Sequence, residues 1–319
     1  MAVLDYGVRA KYERDAFFAK EGIPTDIKDL VRRFLLVFQV SDARKSIFFR
    51  AFAVVVSRMD SASDFENRDR VNQIFSELYE RYATATYHTQ VSVTIRFVRW
   101  LNHGERPKSF CDIKAPKKRS LLRNLKPTDM VTWKEGIQLA NATFSVQFKA
   151  VILFQLDGGF RPSEFFQMRY GDLKLHDEAI IAFVRDGKTG QRIVVLHRSA
   201  KWVRQWLEAH PTKDPQDPLW FLENPSLSRK VKNGTLVPYE YDTLRMRLKR
   251  LAKRIGLNKP VDFYNLRHSS CVLDKLDNLP VDVASDRHGH SVKHYTEVYG
   301  RLSTEDTIAR YLAHYRKST

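Results

Sequence analysis

The chain has 319 residues, 43% of them hydrophobic, and its 54 lysines and arginines outnumber 37 acidic residues to give a net charge of +17. This length is too great for one ordinary core, so two domains are expected. No stretch approaches the roughly eighteen uncharged apolar residues of a membrane span, and the N-terminus lacks the form of a secretory signal. Two distant cysteines, Cys111 and Cys271, argue against a zinc or disulfide framework and fit a reducing, cytoplasmic setting. The basic charge favours nucleic acid as partner over a basic surface without function.

The first part of the chain predicts a helical domain. Residues 1–25 have a weak pattern and are expected to be a short lead-in. Helical spacing of apolar residues then predicts four helices, which centre on Asp29–Leu36, Phe48–Val56, Asn67–Ala83 and Val91–Leu101. In the fourth, we expect the aromatic residues to lie in the core and Arg96 and Arg99 to face phosphates.

A basic connector follows this domain. Residues 105–126 contain Pro107 and Pro116, which break helices, and the basic residues from Lys114 to Lys126 are uninterrupted by any acid. We predict a linker at 113–126, between domains at 1–112 and 127–319. Such a connector suits a protein that closes around a duplex, through Lys117, Lys118 and Arg119, although a solvated tether has the same composition.

The second part predicts helices around a small sheet. Three short strands are expected at Asp172–Leu175, Ala179–Arg185 and Arg192–Leu196, and the turn Asp186–Gly190 is a strong hairpin signal with Lys188 at its tip. Helices are predicted at Asp129–Asn141, Phe144–Asp157, Pro162–Met168, Lys201–Ala209, Tyr241–Ile255 and Thr304–Tyr315. The fold class is therefore mainly α with a small antiparallel β-sheet.

The helix Tyr241–Ile255 carries an apolar stripe on one side and basic residues on the other. The stripe is expected to pack inward and leave a basic face. Contact with a DNA backbone is favoured over a merely solvated face, with the candidate contacts being Arg245, Lys249, Arg250 and Lys253.

The stretch Gly158–Glu164 places Arg161 just beyond a buried apolar helix. Glycines allow a tight helix exit, and a guanidinium there suits a phosphate, although a structural cap or ion pair is the alternative. Further arginine, lysine, histidine and tyrosine candidates follow on separate elements, with no paired carboxylates, nucleotide loop or metal-spaced ligands. Metal-free phosphoryl transfer needs such a set: guanidiniums to neutralise phosphate oxygens, a lysine as acid and a tyrosine as nucleophile.

The order and spacing of these residues resemble the tyrosine recombinases, the family of phage integrases and Xer-type resolvases. Gly159–Glu164 is similar to the family's first arginine box, and Lys188 to its hairpin lysine. Leu266–Ser269 is similar to the second arginine box, Gly289–Ser291 to the Gly-His-Ser element, and Tyr299, nine residues after His290, to the nucleophile. The resemblance covers about residues 127–319 by motif and the first half only by architecture.

The resemblance implies a site-specific recombinase or integrase that forms a 3′-phosphotyrosine with Tyr299. Arg161 and Arg267 would hold the scissile phosphate, and His290 would hydrogen-bond it. Lys188 would protonate the leaving oxygen, and Glu164 would orient Arg161 or brace the site without taking part in the chemistry. The family implies a two-domain clamp around double-stranded DNA with specific recombination sites, without metal, ATP or another cofactor. It also implies a tetramer on DNA that is monomeric or weakly associated when free, nucleoid-associated and not membrane-bound.

Three departures from the family pattern leave questions open. Tyr264 stands where the family has a histidine, as in some integrases of archaeal mobile elements. It is a candidate for hydrogen bonding to the phosphate, but a tyrosine is a poor general base near neutral pH. His288 replaces an apolar residue and is expected to be exposed rather than a second polar contact. Tyr295 is a rival nucleophile, but only Tyr299 has the family spacing.

Two alternative functions remain at this point. A type IB topoisomerase uses similar chemistry but relaxes DNA without site choice. A DNA-binding protein without catalysis would form no covalent adduct.

Overall fold

The computed structural model describes residues 6–116, 126–187, 190–223, 236–298 and 302–316, with side chains to residues 297 and 312 in the last two segments. The described residues form two compact units, 6–116 and 126–316, each with its own hydrophobic core. Within these residues, no helix combines the length and apolar character required to cross a bilayer.

The first unit is helical, as predicted. Its α-helices are α1 (Tyr6–Ala19), α2 (Thr25–Val37), α3 (Asp42–Val56), α4 (Arg68–Arg81) and α5 (Thr84–Leu101). Aromatic rings fill its core: Phe97 of α5 lies 4.7 Å from Phe52 and 5.4 Å from Phe34 between ring centroids. The expectation that the aromatic residues of α5 form core is confirmed, and Arg96 and Arg99 lie on its exposed side.

One expectation for this unit was wrong. Residues 6–19 form a helix instead of a lead-in, because Phe17 is buried and its ring stacks on Phe52 although charged residues dilute the apolar pattern around it. The stretch after α5, which contains Pro107, also contributes to the core. Phe110, the last residue of the short 3-10 helix Lys108–Phe110, is fully buried, and Ile113 is 6% exposed. The chain therefore stays with the first unit to at least residue 113.

The second unit has a three-stranded antiparallel sheet among helices, as predicted. The strands are β1 (Leu173–Leu175), β2 (Ile180–Val184) and β3 (Arg192–Leu196), in the order β1-β2-β3. Ala182 pairs with Leu173 on one side and Val194 on the other. The helices are α6 (Trp133–Asn141), α7 (Val146–Gly158), α8 (Pro162–Phe166), α9 (Ala200–Ala209), α10 (Tyr241–Arg254), α11 (Phe263–Leu276), α12 (Val281–His288), α13 (Val292–Val298) and α14 (Thr304–Arg316).

Helix α7 is the centre of this unit. From Gln147 to Gly158 every side chain except that of Lys149 is buried, so the helix lies within the core instead of on its surface. The buried face of the sheet, which includes Ile180 and Val194, belongs to the same core. Since a helix packed on all sides is held rigidly, its C-terminal end is a fixed point from which functional side chains can be positioned.

Candidate active site

Arg161 lies in the sharp connection between α7 and α8. Its guanidinium donates to Glu164 Oε1 at 2.8 Å and to the carbonyl oxygen of Gly289 at 2.6 Å. Only 16% of its side chain is exposed. Arg161 is therefore held in one orientation by a carboxylate from α8 and by the backbone beyond α12.

Gly159 makes this connection possible in two ways. It ends α7 in the left-handed conformation, with φ of 57°, which side chains other than glycine's rarely adopt. A Cβ atom at this position would also lie 2.7 Å from His288 Cε1 and 2.9 Å from Ser270 Cβ. The backbone of Gly159 can approach α11 and α12 this closely only because it has no side chain.

Arg267 reaches the same place from α11. The N-cap residue of this helix, Asp262, accepts from the backbone N–H of Asn265. The Arg267 side chain is buried, with 1% of the residue exposed. Its guanidinium donates to the carbonyl oxygens of Gly159 and His288, the latter at 2.5 Å.

The two guanidiniums therefore bind consecutive carbonyl oxygens, those of His288 and Gly289. Gly289 ends α12 in the left-handed conformation, with φ of 61°, and so turns the chain back toward both arginines. His290 follows directly, and its Nε2 accepts from Arg267 Nη2 at 2.7 Å. Arg161, Arg267 and His290, distant in sequence, are brought together here.

This cluster is strongly cationic. Burial, and then the charges of Arg267 and Arg161, lower the pKa of His290 from 6.5 to about 2. The imidazole is therefore neutral at physiological pH. Two fixed guanidiniums beside a neutral imidazole form a site suited to an anion with several oxygen acceptors, such as a phosphate diester.

Glu164 is the carboxylate behind this cluster. Its side chain has no exposed surface and accepts from the backbone N–H and guanidinium of Arg161, and from both Nη atoms of Arg192. Burial acts to raise the pKa of Glu164, but the hydrogen bonds and charge of Arg192, with those of Arg161, hold it at about 2. Glu164 is therefore ionised and points away from solvent.

The expectation that His288 is exposed was wrong. The residue is completely buried, and its Nε2 lies 2.8 Å from Asp274 on α11. Asp274 also accepts two hydrogen bonds from Arg287, whose other Nη binds Asp157 at 2.9 Å. A polar side chain is tolerated at this position because its partner comes from a neighbouring helix, which local sequence does not reveal.

The two described tyrosines near the site differ in accessibility. Tyr264 lies one turn before Arg267 on α11 and is 42% exposed. Tyr295 is 2% exposed, and its hydroxyl donates to the carbonyl oxygen of Cys271 at 2.9 Å. Burial raises the pKa of the Tyr295 phenol well above its usual value of 10.

Several predicted residues lie outside the described residues, namely Lys188, Tyr299, Lys117, Lys118 and Arg119. The elements on either side of the first two are described. Strands β2 and β3 pair as the hairpin that was predicted to carry Lys188, and α13 ends at Val298.

The basic residues of helix α10 fall into two groups. Lys249, Arg250 and Lys253 are exposed, and Arg245 is partly buried and pairs with Asp242. Arg247 instead lies over the ring of Phe148, at 4.0 Å, and Arg254 donates to a backbone carbonyl. The basic surface is therefore smaller than the count of basic residues indicates.

Sequence reasoning missed Arg192, Arg287 and Asp274, which fix Glu164 and the 287–290 segment. The only available signal was that Arg192 follows the hairpin turn, and that pattern is equally typical of a solvated strand end. Within the described part of the chain, no group of His, Cys, Asp or Glu side chains has the proximity needed to hold a metal ion.

The chain is similar to known proteins in both sequence and fold. The model of the phage integrase family matches residues 133–306, more than half of the chain. The tyrosine recombinase XerA of Saccharolobus solfataricus is 26% identical over 234 residues, which are 73% of this chain and 69% of the relative.

Solved structures share the fold. A lambda integrase tetramer bound to a Holliday junction superposes with a TM-score of 0.66 at 12% identity, over 87% of this chain and 79% of that one. The XerH recombinase bound to its difH substrate before cleavage gives 0.58 at 13% identity, over 95% and 94%. The family model covers most of the second unit, and the described motif residues Arg161, Arg267 and His290 lie at one site. The chain therefore belongs to the phage integrase family of tyrosine recombinases.

Proposed function

We propose that this protein is a site-specific DNA recombinase that cuts and rejoins DNA through a 3′-phosphotyrosine. The observation that carries the proposal is the anchoring of Arg161 and Arg267 on the consecutive carbonyl oxygens of His288 and Gly289, beside His290. Preorganised donors of this kind stabilise charge that develops on phosphate oxygens in a transition state.

In the proposed reaction, the phenol of Tyr299 releases its proton to solvent, its oxygen forms a bond to the scissile phosphorus, and the bond to the 5′-oxygen breaks. Arg161 and Arg267 donate to the non-bridging oxygens. The phosphate becomes an additional acceptor for Arg267, and His290 hydrogen-bonds it. Lys188 protonates the leaving 5′-oxygen. One phosphodiester replaces another, so the reverse attack by a 5′-hydroxyl rejoins the strand without ATP.

The choice of Tyr299 as nucleophile is supported by the surroundings of Tyr295, the other candidate. Tyr295 is buried with its hydroxyl committed to Cys271, and an inaccessible phenol with a raised pKa is a poor nucleophile. Tyr264 has an exposed side chain on the same helix as Arg267. We propose that it donates a hydrogen bond to the phosphate and takes no part as a base.

The proposed partner is double-stranded DNA that contains specific recombination sites, and we propose that both units contact it. Arg96 and Arg99 of the first unit and Lys249, Arg250 and Lys253 of the second are exposed cations suited to phosphates. The lambda integrase neighbour is a tetramer on a Holliday junction, and we propose a tetramer for this protein on its DNA.

The proposal is tested by trapping the covalent intermediate. The full chain is incubated without nucleotide with a pool of randomised duplexes that are nicked at varied positions, so that the released 5′-hydroxyl fragment diffuses away. The reaction is quenched with SDS, and protein-bound DNA is recovered and sequenced. We expect an adduct at Tyr299, located by mass spectrometry of the attached peptide, and none with Tyr299→Phe.

The recovered sequences separate the alternatives. One sequence motif among the adducts supports a recombinase, whereas adducts at unrelated sequences would favour a topoisomerase. Salt-sensitive DNA binding without any adduct would indicate a DNA-binding protein, and an adduct that persists in Tyr299→Phe would move the nucleophile to another tyrosine.

A further inference from the structure

Arg192 is the first residue of β3, and all of its guanidinium nitrogens are engaged. Nη1 and Nη2 donate to Glu164 Oε1 and Oε2 at 2.9 and 2.7 Å, and Nε donates to the carbonyl oxygen of Arg287 at 3.0 Å. Its side chain is only 10% exposed. A buried arginine with a bidentate partner has a fixed geometry, which a mobile surface ion pair does not.

The carboxylate that Arg192 binds is the one that orients Arg161. Glu164 Oε1 accepts from both Arg161 Nη1, at 2.8 Å, and Arg192 Nη1. Oε2 accepts from the backbone N–H of Arg161, at 2.9 Å, and from Arg192 Nη2. Each oxygen is shared between the two arginines, so Arg192 sets both the charge balance and the orientation of the carboxylate.

The other end of Arg192 holds the backbone that leads to His290. The carbonyl oxygen it binds belongs to Arg287, and the Arg287 guanidinium is fixed by Asp274 and Asp157 at 2.8 to 2.9 Å. Two residues further on, Gly289 supplies the second acceptor of Arg161. Arg192 therefore joins both anchors of Arg161, the carboxylate on one side and the 287–289 backbone on the other.

We propose that Arg192 is a positioning residue that fixes Arg161 for phosphate binding, acting through Glu164 and the carbonyl of Arg287. The inference rests on the proposed function insofar as the phosphate is the scissile one. Lysine cannot replace Arg192, because a single ammonium has no fork to engage both carboxylate oxygens together with a carbonyl.

The experiment compares Arg192→Met and Arg192→Lys with the matched control Arg185→Met. Arg185 lies just after β2, at the other side of the same hairpin. Its replacement by methionine removes the same positive charge. Its side chain is 43% exposed and pairs with Asp172 instead of Glu164. Thermal unfolding and duplex affinity of all three are measured first, and we expect affinity within about threefold of the unsubstituted protein because the duplex makes many other phosphate contacts.

Cleavage is then measured on the duplex that was recovered with the covalent adduct. It is also measured on the same duplex with a methylphosphonate in place of the scissile phosphate, with each diastereomer tested separately. Replacing one charged oxygen by a neutral methyl group removes part of the need for Arg161. On the phosphate, Arg192→Met and Arg192→Lys should cleave about 100-fold more slowly, as expected for loss of one oriented donor. On at least one methylphosphonate the deficit should shrink to within about tenfold, and Arg185→Met should match the unsubstituted protein throughout.

Equal deficits on the phosphate and both methylphosphonates would overturn the inference, since a general loss of folding or an effect on the leaving group gives that result. Unchanged cleavage in Arg192→Met would overturn it as well. Binding of inorganic phosphate to the DNA-free proteins, followed by NMR, separates this inference from the proposed function. If the unsubstituted protein forms no adduct but phosphate affinity still falls about tenfold in Arg192→Met and Arg192→Lys and not in Arg185→Met, the recombinase proposal fails and the positioning role stands.

Discussion

At the scale of single residues, the site depends on groups that bind backbone. Arg161 and Arg267 each contact carbonyl oxygens at the ends of helices, and Gly159 and Gly289 bring those carbonyls into reach. The functional side chains are consequently sensitive to changes at residues that carry no chemistry of their own.

Substitution of Gly159 by alanine should therefore be costly. The backbone has a left-handed φ here, and the new Cβ atom would lie 2.7 Å from His288 Cε1. Backbone strain and overpacking together predict a loss of about 3 kcal/mol in the free energy of unfolding. The control is Gly256→Ala, where φ is +70° and no atom lies within 4 Å of a Cβ; strain alone predicts about 1 kcal/mol. Urea unfolding followed by tryptophan fluorescence measures both, and equal losses would contradict the packing argument.

The burial of His288 predicts a pH dependence of stability. Burial lowers its pKa from 6.5 to about 4, despite the opposing effect of Asp274. Below pH 6.5 the unfolded chain binds more protons at this residue than the folded protein does. The stabilisation present above pH 6.5 is therefore lost as the pH falls toward 4, by roughly 2 kcal/mol between pH 7.5 and 5.

Urea unfolding at several pH values tests this expectation. His288→Gln keeps an N–H for Asp274 but cannot titrate, so its stability should fall less steeply between pH 7.5 and 5. The exposed His176, replaced in the same way, should leave the slope unchanged. A His288→Gln curve parallel to that of the unsubstituted protein would show that the histidine is not the titrating group.

At the scale of elements, α10 combines two kinds of basic residue on one helix. Its apolar stripe of Leu244, Leu248 and Leu251 is buried, as predicted. Of the basic residues, some face solvent and others stabilise the unit by contacts with Phe148, Tyr239 and Ala142.

Replacing Lys249, Arg250 and Lys253 together by glutamine should weaken DNA binding without loss of fold. If each contacts one phosphate, the slope of log affinity against log salt should decrease by about 2.7. The control Arg247→Gln should lower thermal stability, because it removes the contact with Phe148 at 4.0 Å, and should leave the slope unchanged. A triple variant with the original slope would place the DNA elsewhere.

Local patterns predicted much of this organisation. The hairpin was evident from Asp186–Gly190. Arg161, Arg267 and His290 were predicted as site residues from the order of their motifs, and the structure brings them together. What could not be predicted depends on partners far away in sequence. The burial of His288 requires Asp274, and the role of Arg192 requires Glu164, 28 residues before it. Helix α1 was missed because its buried residues, Ala10 and Phe17, are too few to give a helical period in the sequence.

At the scale of the whole molecule, the two units have separate cores, and the core of the first extends beyond its last long helix. Ser109 donates to the carbonyl oxygen of Phe65 at 2.6 Å, and Arg106 donates to that of Phe110, also at 2.6 Å. The stretch after α5 is consequently part of the folded first unit and closes its core.

Fragments of the chain test this organisation. We expect residues 1–116 and 126–319 each to unfold in a single cooperative transition, since each contains a complete core. A fragment of residues 1–104 lacks Phe110, which is fully buried, and should be less stable by about 3 kcal/mol or more. Circular dichroism during heating compares the three, and equal stability of 1–104 and 1–116 would show that the stretch after α5 only covers the surface.

Because both arginines are anchored on main-chain oxygens, the site also differs in which of its residues can change during evolution. The acceptors at His288 and Gly289 are present whatever side chains surround them. Many neighbouring residues can therefore be substituted during evolution while both guanidiniums keep their carbonyl acceptors, provided that the course of the backbone is preserved. Inactivating substitutions should then be as frequent at Gly159 and Gly289 as at Arg161 and Arg267. A survey of every single substitution would show that the backbone conformation limits which substitutions the site tolerates.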